Sequence, residues 1–527
     1  MTSDSGAMRF EGPVHHIEAH DPRHKAEADL VDKGLHHNSI GLLGSVVIGV
    51  ACVAPVYALT ATLGPTVTEV GFQMPAIFLA GFLPMLLVAF GYRELNRVAP
   101  DCGTTFTWGT KAFNPYVGWL GGWGLVLSTV IVLSNLAGVA VTFLYLFLAD
   151  ATGNQSLAAL ADNRLINVLT CAAFVALATW ISYRGMTTTK EVQYVLVGFQ
   201  MLILVGFVAF AFVKIANGTA PASNVSFSLD WLNPFSVASF AAFTAGISLS
   251  LFIFWGWDVC LTINEETSGS EKTPGRAALL TTVIILSSYL LVAVAAMLFA
   301  GVGETGVGLG NTATADNVFA ALAEPVMGGF GTLLFLAVLA SSAASLQTTF
   351  LSPARTLLAM GTYKAVPPRF SRVHPRFQTP TFATLTAGVG TIAFYTVMTF
   401  VSENVLIDTI YALGMMISFY YAITAFSCVW YFRKELFNDA RSIVFKFLIP
   451  LLGGILLAVV FLKTTYDTFD PDYGTGSSVF GIGSVFVLGV GLLILGVVLM
   501  VWWRVKEPEF FRGEVLQRDT PSLVVED

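Results

Sequence analysis

Asp258 is the residue in this chain best placed to do chemistry, because it is the only acid well inside a long apolar run. A carboxylate at that depth in hydrocarbon is costly, which makes it a functional group by default. Its neighbours suit such a role. Phe254, Trp255 and Trp257 could form a stacking wall for a cationic group, or they could simply pack. Gly256 permits torsions outside the helical range, and Asp258 is a good cap for a half-helix beginning after it. At 1.5 Å per residue, the span to Glu265 sets Asp258 on the order of 10 Å above the end of its segment. The plainer reading is that it caps the half-helix without touching a substrate.

A second irregularity lies near the start of the apolar sequence, at Gly49-Val50-Ala51-Cys52-Val53-Ala54-Pro55. Pro55 has no N–H and disfavours helical geometry at Ala54. The amides of Val53, Ala54, Val56 and Tyr57 are then free to meet a ligand, as are carbonyls near Gly49. Cys52 and Cys260 fall one in each interruption and are expected to line the same path. With Cys102, Cys171 and Cys428 they make an odd, scattered set that reads as neither a disulfide framework nor a metal cluster. His374 is the one histidine beyond residue 37, and no Ser, Cys or acid cluster accompanies it, so the pattern does not read as an enzyme.

The elements that must hold these residues are membrane helices. The 527 residues are 55% hydrophobic and only 12% charged, about half the charge of a soluble domain, and the mean hydropathy is +0.73. A net charge of −7 gives no basic footprint for nucleic acid. Runs near twenty apolar residues fall at about twelve places: 40–63, 74–95, 117–148, 164–183, 192–214, 236–263, 277–301, 329–361, 380–401, 405–432, 444–463 and 479–503. They are too long and unalternating for barrel strands. The polar stretch 1–39 reads as a disordered cytosolic leader; His15, His16, His20, His24, His36 and His37 lie in it and are taken as solvated, not as a metal tract. With an even number of crossings, 504–527 becomes a second cytosolic tail. All but Arg164, Lys214 and Lys463 of the 27 Lys and Arg residues then fall on the inner side, a strong bias for a cytoplasmic-membrane protein with both termini inside. Glu94, beside Arg93 at an inner helix end, reads as structural.

The two interruptions open two blocks of five helices, 40–214 and 236–432, and because five is odd the second block enters from the opposite side. Interrupted helices at matching positions of inverted halves point to a secondary transporter with a midplane site. The fold expected is all-α: about twelve transmembrane helices, a five-plus-five inverted repeat with discontinuous first and sixth helices, and two peripheral helices at 444–503.

Several motifs carry a family resemblance. Tyr92-Arg93-Glu94-Leu95 with Pro100, Gly103 and Trp108 resembles the segment after the second helix of amino acid–polyamine–organocation permeases. Gly256-Trp257-Asp258 with Glu265-Glu266-Thr267 and Pro274 is similar to that family's sixth-helix segment. Ser352 to Arg355, with Met360, Pro367, His374-Pro375-Arg376 and Thr379-Pro380, resembles its eighth-helix end and following loop. Over residues 40 to 435 the resemblance implies a permease that moves an amino acid, or a polyamine such as putrescine, since the branch with proline at the first break includes putrescine importers as well as amino-acid permeases. It implies substrate contacts at Gly49, Val53, Ala54, Val56, Tyr57 and Phe254 to Asp258. The chain departs from the family twice. Val53-Ala54-Pro55 replaces a glycine-rich break whose amides receive a carboxylate. Gln200 stands where many bacterial members carry a titratable Lys, so proton coupling would need another group, with Asp258 the candidate carrier. Sodium would need oxygens, and Ser341 and Ser345 share a helix face at i, i+4 spacing. No cofactor is expected beyond H+ or Na+ as coupling ion; the partners expected are a small-molecule substrate and membrane lipid, with the oligomeric state open. An amino acid/amine exchanger and a substrate sensor without flux are the remaining alternatives.

Overall fold

In a computed structural model the description covers residues 32–526 except 402–404 and 436–438, with the backbone alone at 186–189 and 405–406. The chain is almost wholly helical. The first apolar run is α1 (Leu42–Val53) and α2 (Pro55–Val70), followed by α3 (Met74–Val98), the short α4 (Thr105–Ala112), α5 (Pro115–Thr152), α6 (Arg164–Arg184) and α7 (Met186–Ala216). The second block holds α8 (Phe240–Ile253), the one-turn α9 (Val259–Thr262), α10 (Thr273–Ala300), α11 (Val318–Met327), α12 (Gly331–Thr349), α13 (Leu351–Thr362), α14 (Thr381–Val401) and α15 (Val405–Tyr431). A π-helical turn, Ile443–Leu448, leads into α16 (Ile449–Asp467), and a two-stranded hairpin, β1 (Ser478–Val479) and β2 (Ile482–Gly483), precedes α17 (Ser484–Lys506). Ten runs among the described residues are long and apolar enough to cross a bilayer, and Leu42–Val98 holds two crossings in one such run. The fourteen-residue α8 rises only about 21 Å and completes its crossing through the turn and α9.

Helix α1 packs on α10, α10 on α3, and α2 and α3 on α8. A second group joins α5 to α12, α6 and α14, and the two groups meet where α1 touches α12 and where α15 touches α8. Small residues let these helices approach closely, as bilayer packing demands. A side chain at Gly414 on α15 would come within 2.5 Å of the Ser248 carbonyl oxygen on α8.

One sequence expectation needs correction. Residues 1–31 lie outside the described residues, but 32–39 of the expected disordered leader form a docked strap: Ser39 and Ile40 N–H both donate to Glu266 O, and Ser268 N–H donates to Ile40 O. The tail beyond α17 also folds back, with Ser270 N–H donating to Val525 O and Lys111 Nζ to Thr520 O. Leader and tail thus share one face. Finally, α4 and α11 were not foreseen, being too short to register as crossings.

Candidate functional site

The first break is local in origin. Ala54 adopts the left-handed conformation, φ 55° and ψ 65°, which costs a residue with a Cβ roughly 1–2 kcal/mol. Pro55 disfavours the right-handed helical region at Ala54, so α1 cannot run on through it, and is itself well suited to the first position of α2. Ala54 N–H closes α1 on Val50 O, and Ala54 O accepts from Ala58 to open α2. Of the first-turn amides of α2, Pro55 has none to give and Tyr57 donates to Ser341 Oγ at 3.3 Å.

The second break is a longer turn. Phe254 N–H reaches back to Ser250 O at 3.4 Å, Trp255 N–H donates to Phe252 O, and Gly256 O accepts from Val259 N–H. Gly256 has φ 108°, a region closed to L side chains. The two breaks lie against each other. A Cβ on Gly256 would sit 3.1 Å from the Cys52 carbonyl carbon and 3.2 Å from its oxygen. That oxygen, at the end of α1, accepts from Ser345 Oγ at 2.8 Å. Ser341 and Ser345 therefore reach the first break one on each side of it.

Asp258 does not cap α9: its side chain makes no capping hydrogen bond, and the half-helix expected after it lasts one turn before a 3-10 turn at Asn264–Glu266. A residue whose own torsions are helical cannot turn its carboxylate onto the amides that follow. The carboxylate instead accepts from Tyr420 on α15, Oδ2 to OH 3.3 Å, and the same phenol oxygen receives the Trp255 indole N–H. Trp257 packs edge-on to Tyr92 at 5.1 Å and tilted against Tyr421 at 5.2 Å. Phe254 meets Phe82 and Tyr289 at 5.3 and 5.4 Å. Gly49 lies inside α1, where a Cβ would fall 2.8 Å from Cys260 Sγ and 2.6 Å from Thr281 Oγ1, so its lack of a side chain serves helix contact. Cys260 Sγ donates to Ser45 O at 3.2 Å, and Cys52 Sγ lies 3.4 Å from Thr349 Oγ1. Val53 and Val56 are buried in the core. Gln200 is fully buried on α7 with neither side-chain amide atom hydrogen-bonded among the described residues, as are Tyr57 OH and Trp257 Nε1.

Sequence reasoning missed Tyr420, Tyr421 and Thr349. The paired phenols of the tenth run were the available signal, since two adjacent Tyr residues deep in an apolar segment need partners.

On the face carrying the termini the structure gathers Asp101, Cys102 and Glu265, whose ligand atoms lie within 4.8 Å of one another. The sequence scan saw no such cluster, because its members are 163 or more positions apart or adjacent. Its positive charge is supplied by the chain: Lys33 Nζ lies 3.0 Å from Asp101 Oδ2 and 2.6 Å from Glu265 Oε1. Burial alone would depress the Lys33 ammonium, but the two carboxylates outweigh it and hold the pKa well above the ordinary Lys value. Burial likewise opposes ionisation of Asp101, yet Lys33 and the donors Thr107 and Gly103 N–H bring that carboxyl down to about 2. Glu266 pairs with Arg355 at 2.5 Å, and His37 Nδ1 contacts Glu265 O at 2.9 Å. Glu94 is held by Arg93 and Arg97, a structural role.

Discontinuous helices meeting deep in a helical membrane bundle define a secondary transporter. The model of the amino acid permease family matches residues 38–469, and the chain belongs to that family. It is 23% identical over 262 residues to the low-affinity putrescine importer PlaP of Escherichia coli, covering 48% of this chain and 53% of that one. It is also 23% identical over 361 residues to the branched-chain amino acid permease BcaP of Bacillus subtilis, covering 66% and 71%. Among solved structures it shares the fold of MhsT in complex with L-phenylalanine, with a TM-score of 0.56 at 15% identity over 79% of this chain and 98% of that one.

Proposed function

We propose that this multi-pass permease imports an amino acid across the cytoplasmic membrane, with both termini in the cytosol, by rocking the α1–α3, α8 and α10 group against the group built on α5 and α12. The observation that carries the reading is the contact of Gly256 with the Cys52 carbonyl, which sets the ends of both broken helices around one point. Carbonyl ends offer partial negative charge to an ammonium and N–H ends offer partial positive charge to a carboxylate. A substrate there would lie among the backbone of Val53 to Tyr57, the Phe254–Asp258 turn and Gln200, whose unpaired amide is a donor and acceptor in one. Support for an amino acid over a diamine comes from the single acid at the breaks: Asp258 is already engaged by Tyr420, and a dication would call for a second.

One observation favours the alternative, a polyamine or other organic amine. Pro55 and the engaged Tyr57 amide leave few N–H groups for a carboxylate, and the kinship to PlaP agrees. For coupling, a proton carried by Asp258 is our reading. Sodium would instead be held by Ser341, Ser345 and the Cys52 carbonyl, and exchange without an ion is the third course. Uptake into liposomes of radiolabelled amino acids against di- and polyamines, with and without sodium and an imposed proton gradient, decides among these. Amino-acid uptake driven by the proton gradient alone is expected. Sodium-dependent uptake lost in Ser341→Ala overturns the coupling, diamine uptake overturns the substrate, and binding without flux overturns transport in favour of sensing.

A further inference from the structure

Beside the face that carries the termini, α5, α13, the turn at 365–370, α14 and α17 enclose an apolar slot of about 210 Å³. Trp119, Trp123, Trp502 and Trp503 line it with Met360 and Thr386, and the surface it presents is wholly apolar. Tryptophans at a membrane interface ordinarily turn their N–H toward headgroups and water. Three of these do not. Trp119 Nε1 donates to Ala365 O at 2.9 Å, Trp123 Nε1 to Leu492 O at 3.0 Å and Trp503 Nε1 to Lys364 O at 3.1 Å. Their polar edges are tied to the protein's own backbone, which leaves ring carbon for the slot. Trp119 and Trp123 stack at 5.6 Å with their planes 16° apart. The Trp123 indole lies where a side chain on Gly496 of α17 would stand, 2.2 Å from its Cβ position. The cavity is thus built by fixed rings, and the exposed Trp502 and Thr386 mark the side on which it opens into the plane of the bilayer.

Its rim is cationic. Lys506 Nζ lies over the rings of Trp502 and Trp503, 5.4 and 5.6 Å from their centroids, as a residue three and four positions on along a helix must. Arg369 is exposed in the short turn Pro368–Ser371, between the slot residues Pro367 and Phe370. Arg504 lies over Tyr116 at the same helix end. Of the acids around Lys364, Glu509 is taken by Lys364 itself and Glu514 by Arg512, which leaves Glu507.

From the enclosed apolar walls, the lateral opening and this charge, we propose that the slot holds one acyl chain of an anionic phospholipid whose phosphate rests on Lys506 and Arg369. Walls that present only apolar surface select a hydrocarbon chain, and cations at headgroup depth select the negative lipid over the zwitterionic one. The inference is independent of the substrate and of which face is cytosolic.

Native mass spectrometry of the purified full chain tests it, titrated with phosphatidylglycerol or with phosphatidylcholine of identical acyl chains. One phosphatidylglycerol per protein is expected to be retained several-fold better than phosphatidylcholine. Thr386→Trp, which fills the slot from its lipid-facing side, should lower retention of both lipids. The double variant Lys506→Gln, Arg369→Gln should bring phosphatidylglycerol down to the phosphatidylcholine level, and since both side chains are exposed it stays informative if the filled slot disturbs packing. Equal retention of the two lipids by the unaltered protein, or a preference that survives the double variant, overturns the proposal. A dimer that Thr386→Trp disperses would assign the slot to a second copy of the chain instead.

Discussion

The two helix breaks solve one problem by different means. The first is written into its own residues: Pro55 forces Ala54 out of the helical region and starts α2, and the chain resumes a sixteen-residue helix at once. The second is held from outside. Gly256 allows the turn, but the shape depends on Cys52 beneath it, on Tyr420 holding Asp258 and Trp255, and on a leader strap that fixes Glu265 and Glu266 beyond α9. A locally coded break keeps its form when neighbours move, whereas a break held by contacts from α15 and the leader changes when those elements do. On this view the first break is the fixed half of the site and the second is the half that responds to gating.

The sharpest way to break that contrast is Gly256→Val. A β-branched residue at φ 108°, driven into the Cys52 backbone, should abolish uptake and lower the melting temperature; normal uptake would show that the two breaks do not need this contact. Next comes Lys33→Met, which leaves Asp101 and Glu265 buried without their cation. Losing one partner of a buried pair costs about 3–5 kcal/mol, read as a drop in thermal stability together with loosened protection of 259–267 in hydrogen exchange and unchanged protection at 50–58. Equal loosening of both segments would contradict the separate support of the two breaks. Asp258→Asn follows. An amino acid whose amine meets backbone carbonyls should lose well under the roughly 2–5 kcal/mol that a cationic substrate would forfeit, as measured by binding in detergent at equal folded fraction.

A gentler substitution sharpens the other side. Ala54→Gly relieves left-handed strain without touching Pro55, so it should leave uptake intact and change stability by no more than about 1 kcal/mol, the strain relieved being offset by greater freedom in the unfolded chain. The smallest effect is one of pH. The hydrogen bond to Asp32 comes first among the influences that raise the His37 pKa to about 8, above its ordinary 6.5. The stabilisation it lends the strap is therefore complete below about 6.5 and lost as pH rises through 8. Hydrogen-exchange protection at 37–40, taken relative to the intrinsic rate at each pH, should fall over that window, and His37→Gln should flatten the response.

What the sequence disclosed follows the same division. Pro55 and Gly256 announce their breaks by chemistry that needs no neighbour, and the apolar runs announce their helices, so the twelve segments and both interruptions were legible in order. The cap assigned to Asp258 failed because its partner Tyr420 lies 162 residues away on a helix whose facing side no period revealed. Within the leader, residues 32–39 were misread for a related reason. A polar stretch around Lys33, His36 and His37 looks solvated until Asp101 and Glu265 are brought together to receive Lys33, and that juxtaposition exists only in three dimensions.

The central claim is that substrate lies between the two breaks, and site-resolved thiol labelling tests it most directly. The five cysteines are all buried and free, with Cys52 and Cys260 at the breaks, Cys102 beside Glu265 under the strap, and Cys171 and Cys428 as internal controls elsewhere. Purified protein in liposomes is treated with a small membrane-permeant maleimide, with and without saturating substrate, and each cysteine peptide is quantified by mass spectrometry. Labelling of Cys52 and Cys260 should proceed as the breaks open during cycling and fall several-fold with substrate, while Cys171 and Cys428 stay unchanged. Substrate that leaves Cys52 and Cys260 untouched, or that protects all five alike, would contradict the placement.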